Sequence, residues 1–388
     1  MDIRGLILIN SAGLEQEGQA QSPLFMPGTT DVAGKSPLVR IAERLQKFGI
    51  FPATAVIQSE EPLRNIDGAG PITSITASGS RFWRAAENAF NDLAQAGAEM
   101  VILVRLGAYV EVDFERLLQF HLDRQCRVSQ AFHDGQTLDI FCISASRRND
   151  AASLFRSQLS RCRSDCPLFE HFGYTNPLAD ARDLRQFAVD ILMMRTETAP
   201  AGKQVRPGIW IGERAQIEKG ARVLAPAFIG SFARVRSGAV VTRCSAIEQH
   251  AQVDCGTVVE NSSVLSHSYL GAGLDLAHCL AGMGYIANLR RGARVEVRDR
   301  KLLSQVASPS SGRQLLATAA DLVSFVPRQF LRGIFGGTNG RRPGLNEGLR
   351  RRSPKLGGAS SYQPPACDSE GANEFSSGFV VARTNGRQ

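Results

Sequence analysis

Several features that would assign this 388-residue chain to a class at once are missing from it. None of its eight cysteines (Cys126, Cys142, Cys162, Cys166, Cys244, Cys255, Cys279 and Cys367) forms a C-x-x-C pair. The nearest two, Cys162 and Cys166, have no second pair to complete a zinc site. They read as buried small residues of a reduced compartment. No run reaches the roughly 18 apolar residues of a membrane-spanning helix. The opening Met1-Asp-Ile-Arg-Gly-Leu-Ile-Leu-Ile-Asn10 has a four-residue apolar run, short of a signal-peptide core, and reads as a first buried strand. A basic body is missing too. The formal charge is +8, but residues 301–388 hold 12 Lys/Arg against 5 Asp/Glu, which leaves 33 against 32 before them. The basic excess therefore describes a tail, and no nucleic-acid partner is expected. A cytoplasmic protein of two domains and a tail is the expectation, because 388 residues exceed one comfortable core.

What the chain does have is a repeat. The stretch Ile211-Gly-Glu-Arg-Ala-Gln-Ile-Glu-Lys-Gly-Ala-Arg-Val223 places aliphatic residues six apart, a period of neither helix nor strand. The register runs through Val205, Ile211, Ile217, Val223, Ile229, Val235, Val241, Ile247, Val253, Val259 and Leu265 without exception. Chance would produce this on the order of one time in a million. Small residues stand four positions on, from Ala215 to Ser263, and the register then meets Tyr269 and loses regularity through Gly284. Such hexads predict a parallel β-helix, three hexads to a coil, with the aliphatic residue inward and coils stacked at roughly 4.8 Å. Glycines such as Gly212, Gly220, Gly230 and Gly238 suit its turns. The stretch resembles the left-handed β-helix of hexapeptide-repeat proteins over 205–300, and its handedness is implied by that resemblance. Two enzyme groups carry such a helix: acyltransferases, whose active site it forms, and sugar-nucleotide pyrophosphorylases, where it follows a nucleotidyltransferase domain.

Residues 1–200 alternate strand and helix patterns. Ile3 to Ile9, Ala53 to Ile57 and Met100 to Val104 read as strands; Pro37 to Phe48, Ser80 to Gly97 and Phe114 to Leu122 read as helices. That alternation predicts an α/β layer with a mostly parallel sheet. The pieces resemble NDP-sugar pyrophosphorylases, particularly the mannose-1-phosphate guanylyltransferase type. Leu8-Ile-Asn-Ser-Ala-Gly13 is similar to the opening strand and glycine loop of that family, and Val32-Ala-Gly-Lys-Ser-Pro-Leu38 to its G-K-P-L helix entry. Val101 to Gly107, followed by Asp113, Phe114 and His121, is similar to its central G-D strand. Gly173-Tyr-Thr-Asn-Pro-Leu178, with the 184–192 helix, is similar to the segment before its β-helix. The resemblance implies a Rossmann-like nucleotidyltransferase domain over 1–200, a β-helix over 205–300, and a partner that is a sugar nucleotide or NTP.

The departures carry the functional expectation. The family's loop reads G-x-G-T-R, whose backbone N–H groups and arginine meet a triphosphate. Here Leu14-Glu-Gln-Glu17 follows Gly13, placing glutamates where phosphates need cations. Gln21-Ser-Pro-Leu24 has no lysine at the next family position. The family's Mg²⁺ aspartate matches Ala108, which offers no ligand, and a second metal aspartate falls near Asn176. Under a different alignment Lys35 supplies the lysine, and Glu111 or Asp113 the carboxylate. The expectation is a catalytically degenerate member acting by binding or assembly, homo- or hetero-oligomeric, with no metal residues and Mg²⁺ required only if catalysis is retained. Candidate nucleotide-binding residues are Ser11, Ala12, Gly13, Gly79 and Ser80; the bland alternative for the last two is a helix N-terminus with a serine cap.

The acyltransferase alternative needs a histidine base at the coil surface, for which His267 and His278 are the candidates and His250 a third. Against it, the hexads from 205 to 270 run without an inserted loop. In the tail, 301–388, residues 313–335 carry Leu315, Leu316, Ala319, Leu322, Val323, Val326, Phe330 and Ile334 near one helical face, with Arg328 and Arg332 among the later ones. That segment reads as a helical cap or as contact with the inner face of a membrane. Beyond Gly336 the composition is that of a disordered region.

Overall fold

The computed structural model describes residues 1–10, 26, 28–59, 72–145 and 166–306. Ser11, Ala12, Gly13 and the 313–335 segment lie outside them. Residues 1–311 belong to one compact unit.

The N-terminal part is α/β. Its seven-stranded sheet runs β3 (Ile72–Ala77), β2 (Ala53–Gln58), β1 (Ile3–Ile9), β4 (Met100–Arg105), β7 (Gln136–Ser144), β6 (Val128–His133), β8 (Leu168–Glu170). The first four are parallel, with Leu6 of β1 opposite Thr54 of β2 and Leu103 of β4. β8 pairs parallel with β6, so among the described strands of this sheet only β7 is reversed and the expectation of a mostly parallel sheet holds. β7 runs antiparallel to both β4 and β6, a hairpin closed at Asp134-Gly135 with both residues at positive φ. A two-stranded ladder pairs β5 (Tyr109–Val110) with β9 (Thr175–Asn176).

Helices α1 (Pro37–Lys47), α2 (Phe82–Gln95), α3 (Phe114–Asp123) and α4 (Ala181–Leu192) cover the sheets. Their starts follow local chemistry. Ser36 accepts the Val39 N–H with proline at N1, Asp113 accepts the Arg116 N–H, and Asp180 accepts from Arg182 and Asp183. Core side chains lie on both faces of the sheet. Ile7, Ile9 and Ile102 belong to one cluster, while Leu6, Leu8 and Leu103 pack with Phe82 and Phe90 of α2 in the other.

The C-terminal part is a long run of short parallel strands in three sheets, an arrangement compatible with a β-helix. The first sheet holds β10 (Lys203–Arg206), β11 (Ile209–Ile211), β14 (Ala227–Ile229), β17 (Ser245–Ile247), β20 (Ser263–Val264), β23 (Cys279–Gly282), β24 (Tyr285–Asn288) and β25 (Ala293–Glu296). The second holds β12 (Gln216–Ile217), β15 (Arg234–Val235), β18 (Gln252–Val253), β21 (Ser268–Leu270) and β26 (Leu303–Gln305). The third holds β13 (Arg222–Val223), β16 (Val240–Thr242), β19 (Val258–Glu260) and β22 (Asp275–Ala277). Ile211 stands opposite Ile229, and Ile229 opposite Ile247, so one coil takes three hexads. Ile229, Val235, Val241, Ile247, Val253 and Val259 share one fully buried core.

Three details correct the sequence register. Val205 does not point inward: it sits on antiparallel β10 and is 56% exposed. Ile217 is 37% exposed, because β12 is the edge strand of its sheet. Beyond Val259 the coil shortens by one residue, so Val264 stands opposite Ile247 and joins the inner core. Leu265 packs instead with the N-terminal part, and Ser263 faces it beside Arg185. A one-residue slip moves every side chain to the other face of a strand. The hexads therefore continue out of phase, through Val264, Leu270 and Leu276. Turns need two kinds of freedom. Gly220 and Gly238 hold positive φ, whereas Gly230 is needed because a Cβ there would lie 2.5 Å from the Gln249 nitrogen.

The two parts are joined through the outward stripe of the first sheet, where Phe228, Ala246 and Leu280 enter the N-terminal core. Polar clamps fix the register of that joint. Glu248, 1% exposed, accepts the Ala33 and Gly34 N–H groups, one on each carboxylate oxygen at 2.8 Å. Asp31 accepts from Gln249 Nε2 and Ser266 Oγ, both at 2.7 Å. Arg40 donates to Val32, Ala33, Thr198 and Ala199, and Arg185 of α4 donates to Cys244 and Asn261. Burial, with the nearby Asp31 carboxylate, pushes Glu248 up to about 8 against the pull of its two N–H donors and Arg40. A folded-state value above the unfolded one means stability contributed at low pH is lost as pH rises through about 8. Denaturant unfolding from pH 5 to pH 9 should show this decline, and Glu248→Gln should flatten it. Glu248→Ala orphans two buried N–H donors and should cost about 2–5 kcal/mol at neutral pH; a loss under about 1 kcal/mol would show that the joint does not depend on this carboxylate.

Candidate functional site

In a parallel α/β sheet, ligands meet the carboxyl ends of the strands where the strand order reverses direction. Here that place lies between β1 and β4, since β2 and β3 extend to one side of β1 and β4 to the other. Four side chains from separate segments converge there. Arg105, the last residue of β4, donates from Nε to Asn10 Oδ1 at 3.1 Å, just past the end of β1. Its Nη1 lies 3.6 Å from Asp139 Oδ2 on β7. Its guanidinium lies over the Trp83 indole at 5.6 Å, from the first turn of α2. Trp83 is 44% exposed and the Arg105 side chain 28%, so the cluster is open to solvent on one side.

Gly79 borders the cluster. It opens a 3-10 turn, Gly79–Arg81, that leads from the carboxyl end of β3 into α2, and a Cβ on it would lie 3.1 Å from Gln58 Nε2. Ser80 lies in the same turn. Gly79 and Ser80 thus precede α2, whose N-cap is Arg81; Ser78 caps only the 3-10 turn, and neither cap makes a side-chain bond.

The sequence candidates for charge and metal are engaged elsewhere. Lys35 pairs with Glu43 at 2.6 Å in the loop of the domain joint. Glu111 is buried and accepts from Tyr109, Glu197 and Thr198. Asp113 caps α3. Asn176 is buried, with Nδ2 on Asp183 O and Oδ1 accepting the Leu178 N–H, so both ends of its amide are used inside the fold. His121 is a satisfied core histidine, 2.9 Å from both Ser129 Oγ and Ser144 Oγ, and burial lowers its pKa.

A carboxylate does approach the place where Ala108 has none. A Cβ on Gly107 would lie 3.9 Å from Asp139 Oδ2, so β7 supplies the acid that the β4 turn lacks. One carboxylate already facing an arginine is a poor set for Mg²⁺, which binds through carboxylates and waters and is repelled by a fixed cation. Among the described residues, no group of three or more His, Cys, Asp or Glu is placed to hold a metal. The donors described at this edge do not by themselves fit the ion.

The histidines of the stack form part of its turns. His250, His267 and His278 all hold positive φ, as do Phe232 and Arg214 one and two coils before His250. Phe232, His250 and His267 stack ring on ring at 4.8 and 4.7 Å, with interplanar angles of 2° and 11°. His278 Nδ1 lies 2.7 Å from Asn261 Nδ2. His267 and His278 thus sit at two different turns of the stack, each engaged with its neighbour in the preceding coil.

No protein-family model matches the chain, and no curated protein matches it either.

The cluster was invisible to motif reading because its members are scattered from 10 to 139. Only the strand order reveals it, although Asn10 and Arg105 stand inside the quoted motifs. Asp139 should be dispensable for folding. An ion pair at 3.6 Å with its carboxylate 45% exposed contributes under about 1 kcal/mol, so thermal unfolding of Asp139→Ala should lie within a few degrees of the parent.

Proposed function

We propose that the protein is a nucleotidyltransferase-like member of sugar-nucleotide or polysaccharide metabolism that binds an NTP or sugar nucleotide and has lost transfer chemistry. On this reading the N-terminal part is the nucleotide-binding domain, and the stacked hexads form a left-handed β-helix attached to it. The observation that carries the proposal is the Arg105–Trp83 pair at the β1–β4 switch point. A guanidinium offers paired N–H groups to a phosphate, and an exposed indole offers a face to a base or sugar. Asn10 holds the guanidinium by Nε, which leaves its outer N–H groups directed to a ligand or to Asp139.

Transfer from an NTP needs charge neutralisation of the triphosphate, which Mg²⁺ and the loop cations of the resembled family would provide. Glu15 and Glu17 in the sequence after Gly13, Ala108, and the internally bonded Asn176 all argue against that step. Binding without turnover follows.

Trp83 provides the readout, as one of only two tryptophans. In a Trp210→Phe background, titration with GTP, UTP and their sugar diphosphates should change Trp83 emission at micromolar to millimolar ligand. Arg105→Ala should weaken that binding about tenfold or more, the loss expected for a charge-assisted contact of about 1.5–3 kcal/mol. Mg²⁺ should change neither the binding nor the nucleotide. Release of pyrophosphate from NTP and a sugar 1-phosphate would overturn the degenerate reading, and an unresponsive Trp83 with every nucleotide would remove the binding reading.

A further inference from the structure

The described body is close to neutral, yet its cationic residues are not evenly spread. At the end of the stack where β24 and β25 fold over the last coil, residues 290–301 hold Arg290, Arg291, Arg294, Arg298, Arg300 and Lys301 against Glu296 and Asp299. Arg290 and Arg291 occupy the turn between the two strands, exposed, and neither has an acidic partner among the described residues. Arg182 joins them from α4: its Nε donates to Leu289 O at 3.1 Å, and its Nη2 is 3.3 Å from where a Cβ on Gly292 would lie. The acids beside Arg182 face other donors, Asp180 the Arg182 and Asp183 N–H groups and Asp183 the Ala179 N–H. Arg298 shares Glu296 at 3.5 Å, and Asp299 accepts the Lys301 N–H. Apolar side chains stand in the same cap: Met283, Val295 and Leu302 are all exposed, and β25 is the edge strand of its sheet.

We propose that this cap is the surface by which the protein rests on an anionic lipid membrane. Phosphate headgroups are complementary to the unpaired guanidiniums of the β24–β25 turn. The exposed Met283, Val295 and Leu302 favour a lipid surface over a soluble polyanion, because a polyanion has no use for them while a headgroup boundary accepts apolar side chains beside snorkelling arginines. The site is separate from the switch-point cluster and independent of nucleotide binding.

Flotation of the full chain tests it, with vesicles of phosphatidylcholine alone or mixed with phosphatidylglycerol. The parent should float with the anionic vesicles only. Arg290→Glu with Arg291→Glu should weaken partitioning roughly thirtyfold or more, since each basic residue near the surface contributes about 1 kcal/mol. Val295→Ser with Leu302→Ser should weaken it as well. Arg222→Glu with Arg234→Glu, exposed on other faces of the stack, should leave it unchanged. Should the glutamate variant fail to fold by circular dichroism, Arg290→Gln with Arg291→Gln carries the same comparison, the loss of two charges alone weakening partitioning roughly thirtyfold. The proposal is overturned by a parent that does not float, by a cap variant that floats as the parent does, or by equal weakening from both charge reversals. Capture of the parent by soluble polyphosphate without vesicle binding would also overturn it.

Discussion

Glu248 places one carboxylate oxygen on the Ala33 N–H and the other on the Gly34 N–H, across the junction of the two halves of the chain. The consequences run in both directions. Ser36 caps α1 two residues on, so fixing Ala33 and Gly34 fixes the start of the helix that covers β1 and β2. On the other side Glu248 follows Ile247 in β17, so the same bond locks the phase of the stack against the first part. Apolar contact through Phe228, Ala246 and Leu280 supplies area but little register, since an apolar stripe slides with small loss. Two N–H groups on one carboxylate do not slide. Asp31 and Arg185 repeat the device at neighbouring coils, which makes the joint polar in specificity and apolar in bulk.

The same joint engages the family-like loop at Gly34 and Lys35. Gly34 approaches Phe228 so closely that a Cβ would lie 2.6 Å from its ring, and its φ of +88 is one that only glycine adopts freely. A loop gripped by a buried carboxylate and a phenyl ring has no freedom to fold over phosphates. Its glycine and lysine matched a binding motif in type, and the fold uses the glycine to pack two domains.

Much of the architecture was legible in the sequence, for identifiable reasons. Ile3–Ile9, Pro37–Lys47, Met100–Arg105 and Phe114–Asp123 announce themselves because burial imposes a period on each. The hexads did so more clearly still, since every coil repeats one steric demand. What escaped was whatever breaks a period or crosses segments. The shortened coil after Val259 exchanged the roles of Val264 and Leu265, which are both aliphatic, so composition gave no warning. The β6–β7 hairpin carries Asp139 to the switch point from a strand that sequence reading passed over. His250 and His267, candidate bases by residue type, stand with Phe232 in one stack of turn residues at positive φ, a geometry no period in the sequence announces.

The charge balance at the switch point bears on what such a crevice can do. Arg105 and Asp139 face each other across 3.6 Å at a partly exposed edge, a distance at which the pair contributes little. A phosphate arriving there would exchange a long, weak contact for a short charge-assisted one, at almost no cost to the fold. A divalent cation arriving at Asp139 would instead face the guanidinium, with one carboxylate to hold it against that repulsion. On the proposed reading, the described side chains of this edge favour an anion alone over an anion with its metal. Phosphoryl chemistry requires the opposite preference, because charge on the transferring group must be neutralised as the transition state forms. On that reading an α/β scaffold can keep the first capacity without the second, since Arg105 on β4, Asn10 after β1 and Trp83 on α2 are brought together by the sheet order.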